Sequence, residues 1–181
     1  MKKFEEKTTH TTSIYDGKIV KLQVDDVTLP NGKSAKREII KHPGAVAIIA
    51  ITNEGKLVMV EQFRKALERS IVEIPAGKLE TGEEPITTAR RELEEETGYG
   101  AHQLNYLQAF ATSPGFADEV IHLFVAKDLY EIENRAALDE DEFVELLEVS
   151  LEEAQAMVAD GRIYDAKTAF AVLWLALQQE K

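Results

Sequence analysis

Three glutamates, Glu92, Glu95 and Glu96, are spaced so that their carboxylates can act together. At positions i, i+3 and i+4 of a helix they occupy one narrow arc, since each residue turns about 100°. Carboxylates this close repel one another, so the spacing predicts that a cation lies among them. Oxygen ligands favour a hard divalent ion, Mg²⁺ first with Mn²⁺ as a substitute, and zinc is disfavoured because cysteine is absent. A solvated acidic helix face is the plain alternative.

The residues around these glutamates predict a helix that begins at Pro85 and ends before Gly98. Proline suits the first helical position, and glycine suits the residue just past the last turn. The loop before the helix is bounded by Gly77 and Gly82, whose backbones can adopt conformations that other residues resist. One apolar stripe, at three- and four-residue steps, is predicted to face inward: Ile86, Ala89, Leu93 and Thr97.

Residues 77–99, with the sequence GKLETGEEPITTARRELEEETGY, resemble the Nudix box. That motif is Gly-x5-Glu-x7-Arg-Glu-U-x-Glu-Glu-x-Gly-U, in which U is a bulky apolar residue. Every fixed position has a match, at Gly77, Glu83, Arg91, Glu92, Leu93, Glu95, Glu96, Gly98 and Tyr99. Tyr99 stands where an aliphatic residue is commoner, and we interpret it as a packing variation.

The resemblance implies an α+β fold, namely an α/β/α sandwich around a mixed sheet, with the box forming a loop–helix–loop. It also implies two parts of the chain. Residues 1–42 are expected to form a β-rich segment that is exchanged between the chains of a homodimer, and residues 43–181 are expected to form the Nudix hydrolase domain. The N-terminal residues fit this view because they are polar and yet strand-like. At the C-terminal end of the chain, residues 165–178 predict a helix. Four of its residues are predicted to face inward: Phe170, Leu173, Trp174 and Leu177.

By the same resemblance, Glu92 and Glu96 hold or bridge the principal metal ions. Glu95 completes the set as a ligand and catalytic residue, and the carbonyl of Ala76, just before the first box glycine, is a further ligand. Arg91 and Glu83 are expected to pair and to brace the loop against the helix. The resemblance therefore implies an oxygen-only metal site on one turn of helix.

A second region, SPGFADE, resembles the loop that marks the ADP-ribose-hydrolysing branch of the family. It places Pro114, Gly115 and Glu119 among the substrate-binding residues, and the early strands add Arg37 and Arg64 as phosphate-binding candidates. The plain alternatives are a Pro-Gly turn, a strand-surface Arg37 and a rim salt bridge of Arg64.

An acidic loop at residues 138–143 resembles the loop that supplies a water-activating glutamate in this branch. Glu140 is the first candidate for the catalytic base and Glu142 is the second. A solvated loop has the same composition, so the sequence leaves that alternative open.

The implied reaction is hydrolysis of the pyrophosphate bond of ADP-ribose to AMP and ribose 5-phosphate. The implied assembly is a homodimer in which each adenine pocket draws on both chains. Two other functions stay open: a pyrophosphatase for other nucleoside diphosphate sugars or dinucleotides, and a non-catalytic sensor of ADP-ribose. Sensors often lose a box carboxylate, whereas this chain keeps all of them.

Composition sets further limits. The 181 residues carry a net charge of −12, which argues against non-specific nucleic-acid binding through phosphates. No apolar run approaches the roughly 20 residues that span a bilayer, and the N-terminus lacks the apolar core of a secretory signal. Cysteine is absent, so we expect no disulfide framework and a cytoplasmic location.

Overall fold

The structure is a computed structural model that describes residues 3–80, 82–133 and 143–179. Within these residues the chain forms ten β-strands, three α-helices and one short 3-10 helix at Lys65–Leu67. It divides into two compact units. The first contains Met1–Gly44 and Phe110–Ile121, and the second contains Ala45–Ala109 and His122–Lys181.

The first unit contains a three-stranded antiparallel sheet in the order β1 (Lys7–Asp16), β2 (Lys21–Thr28), β3 (Ser34–Lys41). Pro30, Asn31 and Gly32 predict a turn that joins two strands into an N-terminal hairpin. The turn is present between β2 and β3, and Gly32 there has φ 82° and donates its N–H to the carbonyl of Leu29 at 2.8 Å. Only glycine adopts this left-handed conformation at no steric cost. The N-terminal hairpin is therefore confirmed, and β1 is exposed along its whole length.

The second unit is built on a sheet in the order β10-β5-β4-β9-β8, with β6 paired to β5 and β7 paired to β4. Its central strand β4 has the sequence AVAIIAI and is buried on both faces, as expected for a continuous apolar run. The strands are β4 Ala45–Ile51, β5 Leu57–Arg64, β6 Arg69–Glu73, β7 Ala76–Lys78, β8 Tyr99–Ala111, β9 Val120–Glu131 and β10 Val144–Val149.

Helix α1 (Pro85–Thr97) has the predicted bounds. Gly98 follows it at φ 75° and donates its N–H to the carbonyl of Glu94 at 2.8 Å. Ala89, Leu93 and Thr97 are buried as predicted. Ile86 is 43% exposed, so the prediction for the first member of the stripe was wrong, and Thr88 is buried in that turn instead.

Helix α2 (Leu151–Asp160) begins with a capping box. Ser150 Oγ accepts the N–H of Glu153 at 3.2 Å, and Glu153 Oε2 accepts the N–H of Ser150 at 2.7 Å. These two bonds satisfy donors that the first turn would otherwise leave unpaired. Gly161 ends the helix with φ 80°. The sequence pattern Ser150-x-x-Glu153, followed by Gly161, predicts a helix with these two ends, and both are confirmed.

Helix α3 (Ala166–Gln179) buries only part of the predicted face, since Phe170 and Trp174 are half-buried. Leu173 and Leu177 are 66% and 59% exposed, and the prediction that they face inward was wrong. Apolar residues cover most of this helix, so their spacing allows more than one inward face. The buried residues are Lys167, Thr168, Ala171, Val172 and Leu175. Among the described residues, no helix has both the length and the apolar character to cross a membrane.

Candidate active site

The acidic arc of α1 has a cation within it, as its spacing predicted. Arg91 Nη1 lies 2.8 Å from Glu92 Oε1 and 2.8 Å from Glu95 Oε2. Glu92 and Glu96 are buried on the inner side of the helix. The guanidinium thus offsets the repulsion between carboxylates that the helix holds on neighbouring turns.

The strand β7 fixes two of these carboxylates. Ala76 donates its N–H to Glu96 Oε2 at 3.0 Å. A Cβ built on Gly77 would lie 1.9 Å from Glu92 Cδ and 2.0 Å from Glu92 Oε1, so the carboxylate occupies the space that any side chain at residue 77 would need. Two consecutive residues of the loop therefore determine where two glutamates of the helix lie.

A second set of contacts braces the loop from the other side of Arg91. Glu83 Oε2 accepts a hydrogen bond from Thr88 Oγ1 at 2.8 Å and lies 3.4 Å from Arg91 Nη2, which is the expected Arg91–Glu83 pair. The Thr88 hydrogen bond lowers the pKa of Glu83 most, and Arg91 lowers it further. Partial burial lowers the pKa of Arg91, but the charge of Glu92 and the hydrogen bonds to Glu95 and Glu83 outweigh it and raise the pKa.

These residues fit a hard divalent cation. The donors on α1 and β7 are carboxylate and carbonyl oxygens, the ligands that such ions prefer. Arg91 Nη1 already places positive charge between Glu92 and Glu95. In the part of the chain that the structure describes, no three His, Cys, Asp or Glu side chains are already arranged to hold a metal ion. The site therefore has the oxygen ligands that a divalent cation needs, and the Arg91 guanidinium lies among them.

Both phosphate-binding candidates among the arginines are paired with glutamates. Arg64, the last residue of β5, donates its Nε–H to Glu73 Oε2 at 2.5 Å. Arg37 on β3 makes a two-pronged contact with Glu6, Nε to Oε2 at 2.8 Å and Nη2 to Oε1 at 2.6 Å. Each arginine is thus held in one orientation by a carboxylate.

The SPGFADE loop forms a compact turn in the first unit. The carbonyl of Ser113 accepts the N–H groups of Phe116 at 3.1 Å and Ala117 at 2.9 Å. Pro114 and Gly115 lie at its exposed tip. The turn is what the Pro-Gly dipeptide predicts, so its geometry is compatible with a plain turn as well as with a binding loop.

Glu119 is oriented by Thr112 and lies near His42 in the same unit. Its Oε2 accepts a hydrogen bond from Thr112 Oγ1, and its Oε1 lies 3.5 Å from His42 Nδ1. His42 Nδ1 also accepts the N–H of Gly44 at 3.1 Å. Glu119 therefore has a fixed carboxylate rather than a freely rotating one.

The predicted site residues are distributed over both units. Ala76, Glu92, Glu95 and Glu96 are brought together in the second unit, which also contains Arg64. Glu140 and Glu142 lie outside the described residues. The first unit contains Arg37, Pro114, Gly115 and Glu119.

Comparisons with known proteins cover both parts of the chain. Residues 41–169 match the family model for the NUDIX domain. The chain belongs to the Nudix family. Residues 6–40 match a second family model, the nucleoside diphosphate sugar hydrolase N-terminal domain. Nudix hydrolases generally use a divalent metal ion.

Two curated relatives and one solved structure are similar over nearly the full length. The methanol dehydrogenase activator of Bacillus methanolicus is 66% identical over 98% of this chain and 96% of that protein. The ADP-ribose pyrophosphatase of Bacillus subtilis is 60% identical over 99% of this chain and 97% of that protein. An ADP compounds hydrolase structure has a TM-score of 0.82 at 21% identity, covering 97% and 94% of the two chains. The expected Nudix fold, an α+β sandwich around a mixed sheet, is confirmed.

Reasoning from the sequence missed Glu73 and Lys167, which form a buried ion pair in the second unit. Glu73 lies within the segment SIVEI, in which its neighbours Ile71, Val72 and Ile74 are all apolar. A carboxylate in such a run is rare unless it is paired, and this was the available signal. The partner on α3 has no sequence signal of its own.

Proposed function

We propose that this chain hydrolyses the pyrophosphate bond of ADP-ribose to AMP and ribose 5-phosphate, and that the reaction depends on a divalent metal ion. The observation that carries the proposal is the 60% identity to the Bacillus subtilis ADP-ribose pyrophosphatase, which extends over 99% of this chain. The complete acidic arc of α1 supports it, since a chain that had lost catalysis would have no need to keep all three carboxylates.

Attack of water on a pyrophosphate is opposed by the negative charge of the phosphates, so positioning and charge neutralisation determine the rate. A bound divalent ion neutralises that charge and lowers the pKa of bound water. We propose Mg²⁺, with Mn²⁺ as a possible substitute. The proposed ligands are Glu92, Glu95, Glu96 and the carbonyl of Ala76. The hydrogen bond from the Ala76 N–H to Glu96 supports the proposal, because it holds residue 76 beside the Glu96 carboxylate.

The other residues of the box keep these ligands in place. Arg91 holds Glu92 and Glu95 on one arc, while Glu83 holds Arg91. Glu140 or Glu142 is proposed to accept the proton of the attacking water. Both lie outside the described residues, so the choice between them stays a prediction.

We propose that the phosphates of the substrate contact Arg37 and Arg64. Glu119 is proposed to contact a ribose or the metal ion, and Pro114 and Gly115 are proposed to contact the substrate from the SPGFADE loop. In the structure Arg37 pairs with both oxygens of Glu6, and Arg64 pairs with one oxygen of Glu73. Phosphate oxygens can accept the same hydrogen bonds.

We propose a homodimer in which residues 1–42 are exchanged and each adenine pocket draws on both chains. The separate family match of residues 6–40 supports this boundary. The exposed strand β1, which carries exposed Ile14 and Tyr15, supports a role in contacts between chains. Light scattering at micromolar concentration should give twice 20.2 kDa, and a monomer would rule out the shared pocket. A cytoplasmic location stays a prediction.

The discriminating experiment is a substrate panel. Turnover divided by the Michaelis constant is measured for ADP-ribose, several nucleoside diphosphate sugars and a dinucleotide, with the Glu96→Gln variant as the metal-site control. ADP-ribose should rank first, and Glu96→Gln should lose several orders of magnitude in turnover with little change in thermal stability. A higher rank for another compound would favour the alternative pyrophosphatase. Tight binding of ADP-ribose without turnover would favour the sensor.

A further inference from the structure

A buried ion pair links α3 to the arginine at the end of β5. Glu73 is 3% exposed and Lys167 is 9% exposed. Glu73 Oε2 accepts from Arg64 Nε at 2.5 Å, and Glu73 Oε1 accepts from Lys167 Nζ at 2.5 Å. Lys167 Nζ also lies 2.9 Å from Asp165 Oδ2. Each oxygen of the buried carboxylate thus has its own cationic donor, and Arg64 is held by one of its nitrogens.

The chain that follows Glu73 is held at every residue up to Ala76, and we call residues 73–76 the strap. The N–H of Ile74 donates to Thr168 Oγ1 at 3.1 Å, and Thr168 is buried on α3 beside Lys167. The carbonyl of Pro75 accepts the N–H of Ile48 on β4 at 2.8 Å. The N–H of Ala76 donates to Glu96 on α1 at 3.0 Å. The strap is therefore anchored to β5, α3, β4 and α1 in turn.

The strap is short, and Pro75 fixes one of its backbone torsions. A displacement at its first residue is consequently transmitted to its last, because little slack remains between them. The first residue carries the carboxylate that orients Arg64, and the last carries the carbonyl proposed as a metal ligand. Two consecutive side chains of α3, Lys167 and Thr168, hold the strap at its first two residues.

We infer that Lys167 and Thr168 are positioning residues of the active site, which act through the strap on Arg64 and Ala76. The inference rests on the proposed function, in which Arg64 binds a phosphate and Ala76 binds metal. Arg64 fits this role because Glu73 engages its Nε while the side chain stays 39% exposed. In residues 3–80, 82–133 and 143–179, Arg64 has no second polar partner, so its terminal nitrogens can donate to a ligand.

A buried ion pair is weak support for stability, since well-packed apolar residues of similar volume often replace one at no cost. The position of this ion pair next to Arg64 therefore fits a requirement for orientation. Two variants test this on Lys167: Lys167→Met removes the charge, and Lys167→Arg keeps it as a rescue. The matched control is Lys65→Met, because Lys65 makes the same 2.5 Å contact with a glutamate, Glu68, on the exposed surface.

The first readout is binding of ADP-ribose in excess chelator, where no metal-dependent turnover competes, together with the Michaelis constant in Mg²⁺. Lys167→Met should weaken both by about tenfold or more, as a misplaced binding group does. Lys167→Arg should recover most of the loss, and Lys65→Met should match the wild type. Wild-type binding and Michaelis constant in a folded Lys167→Met protein would overturn the inference.

The second readout needs no substrate, so it separates this inference from the proposed function. Thr168→Val removes one hydroxyl with little change of volume, and the amide hydrogen exchange of Ala76 is then followed by NMR. Exchange at Ala76 should rise although its own partner Glu96 is untouched, Thr168→Ser should restore it, and Thr52→Val on an exposed turn should leave it unchanged. Unchanged exchange at Ala76 would refute transmission along the strap, whatever the substrate proves to be.

Discussion

Gly77→Ala is the most informative single change, because it adds one methyl group beside the acidic arc. Gly77 does not have a positive φ, so its backbone conformation also suits alanine. The only obstacle is spatial: the new Cβ would lie 1.9 Å from Glu92 Cδ. The substitution therefore tests the position of the Glu92 carboxylate and leaves every ligand chemically intact.

The size of the effect follows from that distance. Non-bonded carbons approach to about 3.5 Å, so the Glu92 carboxylate must move by about 1.5 Å. A misplacement of about 1 Å can cost about 100-fold in rate, so we expect the turnover number to fall by about 100-fold or more. Extra volume in a packed site costs about 1–3 kcal/mol of folding free energy, which is less than the typical stability of a folded protein, about 5–15 kcal/mol.

Turnover of ADP-ribose in saturating Mg²⁺ is measured beside the thermal unfolding curve. The matched control is Gly100→Ala, whose Cβ would lie 2.3 Å from Tyr130 Cζ, a comparable clash with a side chain outside the acidic arc. Both variants should lose a similar amount of stability, and only Gly77→Ala should lose turnover. Wild-type turnover by Gly77→Ala would refute the position proposed for Glu92.

Two further predictions concern stability. The Tyr99 hydroxyl donates to Glu148 Oε1 at 2.5 Å, and this bond raises the pKa of Tyr99 from 10.0 to about 12. The contribution of this hydrogen bond to folding stability is therefore complete below about pH 10 and is lost as the pH rises towards 12. The melting temperatures of wild type and Tyr99→Phe should converge over that range, and a constant difference between them would contradict this. Ser150→Ala removes the side chain that caps α2 and should cost about 1 kcal/mol in denaturant unfolding, whereas Ser150→Asp should retain most of it.

The sequence predicted the elements that carry local signals. Pro85 and Gly98 marked both ends of α1, and Ser150 with Glu153 marked the start of α2, because caps and terminal glycines act within one turn. The box spacing also predicted a cation within the acidic arc, and Arg91 is the cation found there. These features depend on residues that are neighbours in sequence.

The failures depend on contacts between residues far apart in the chain. The prediction that Leu173 and Leu177 of α3 face inward was wrong. The buried side of the helix includes Lys167 instead, whose partner Glu73 lies 94 residues away. Arg37 pairs with Glu6, 31 residues away, and no sequence pattern predicted that pair. Phosphate binding by Arg37 and Arg64 stays a prediction. Spacing shows which residues share a face, but only the fold decides what that face meets.

The central claim, that the carboxylates on one arc of α1 make a diphosphate cleavable through a bound divalent ion, is tested most directly by chelation. ADP-ribose is incubated with the metal-stripped protein in excess chelator, with Mg²⁺ restored, and with Mg²⁺ restored to Glu96→Gln, and the products are separated by chromatography. We expect AMP and ribose 5-phosphate only when wild-type protein and Mg²⁺ are both present. Equal product formation in excess chelator would contradict the account.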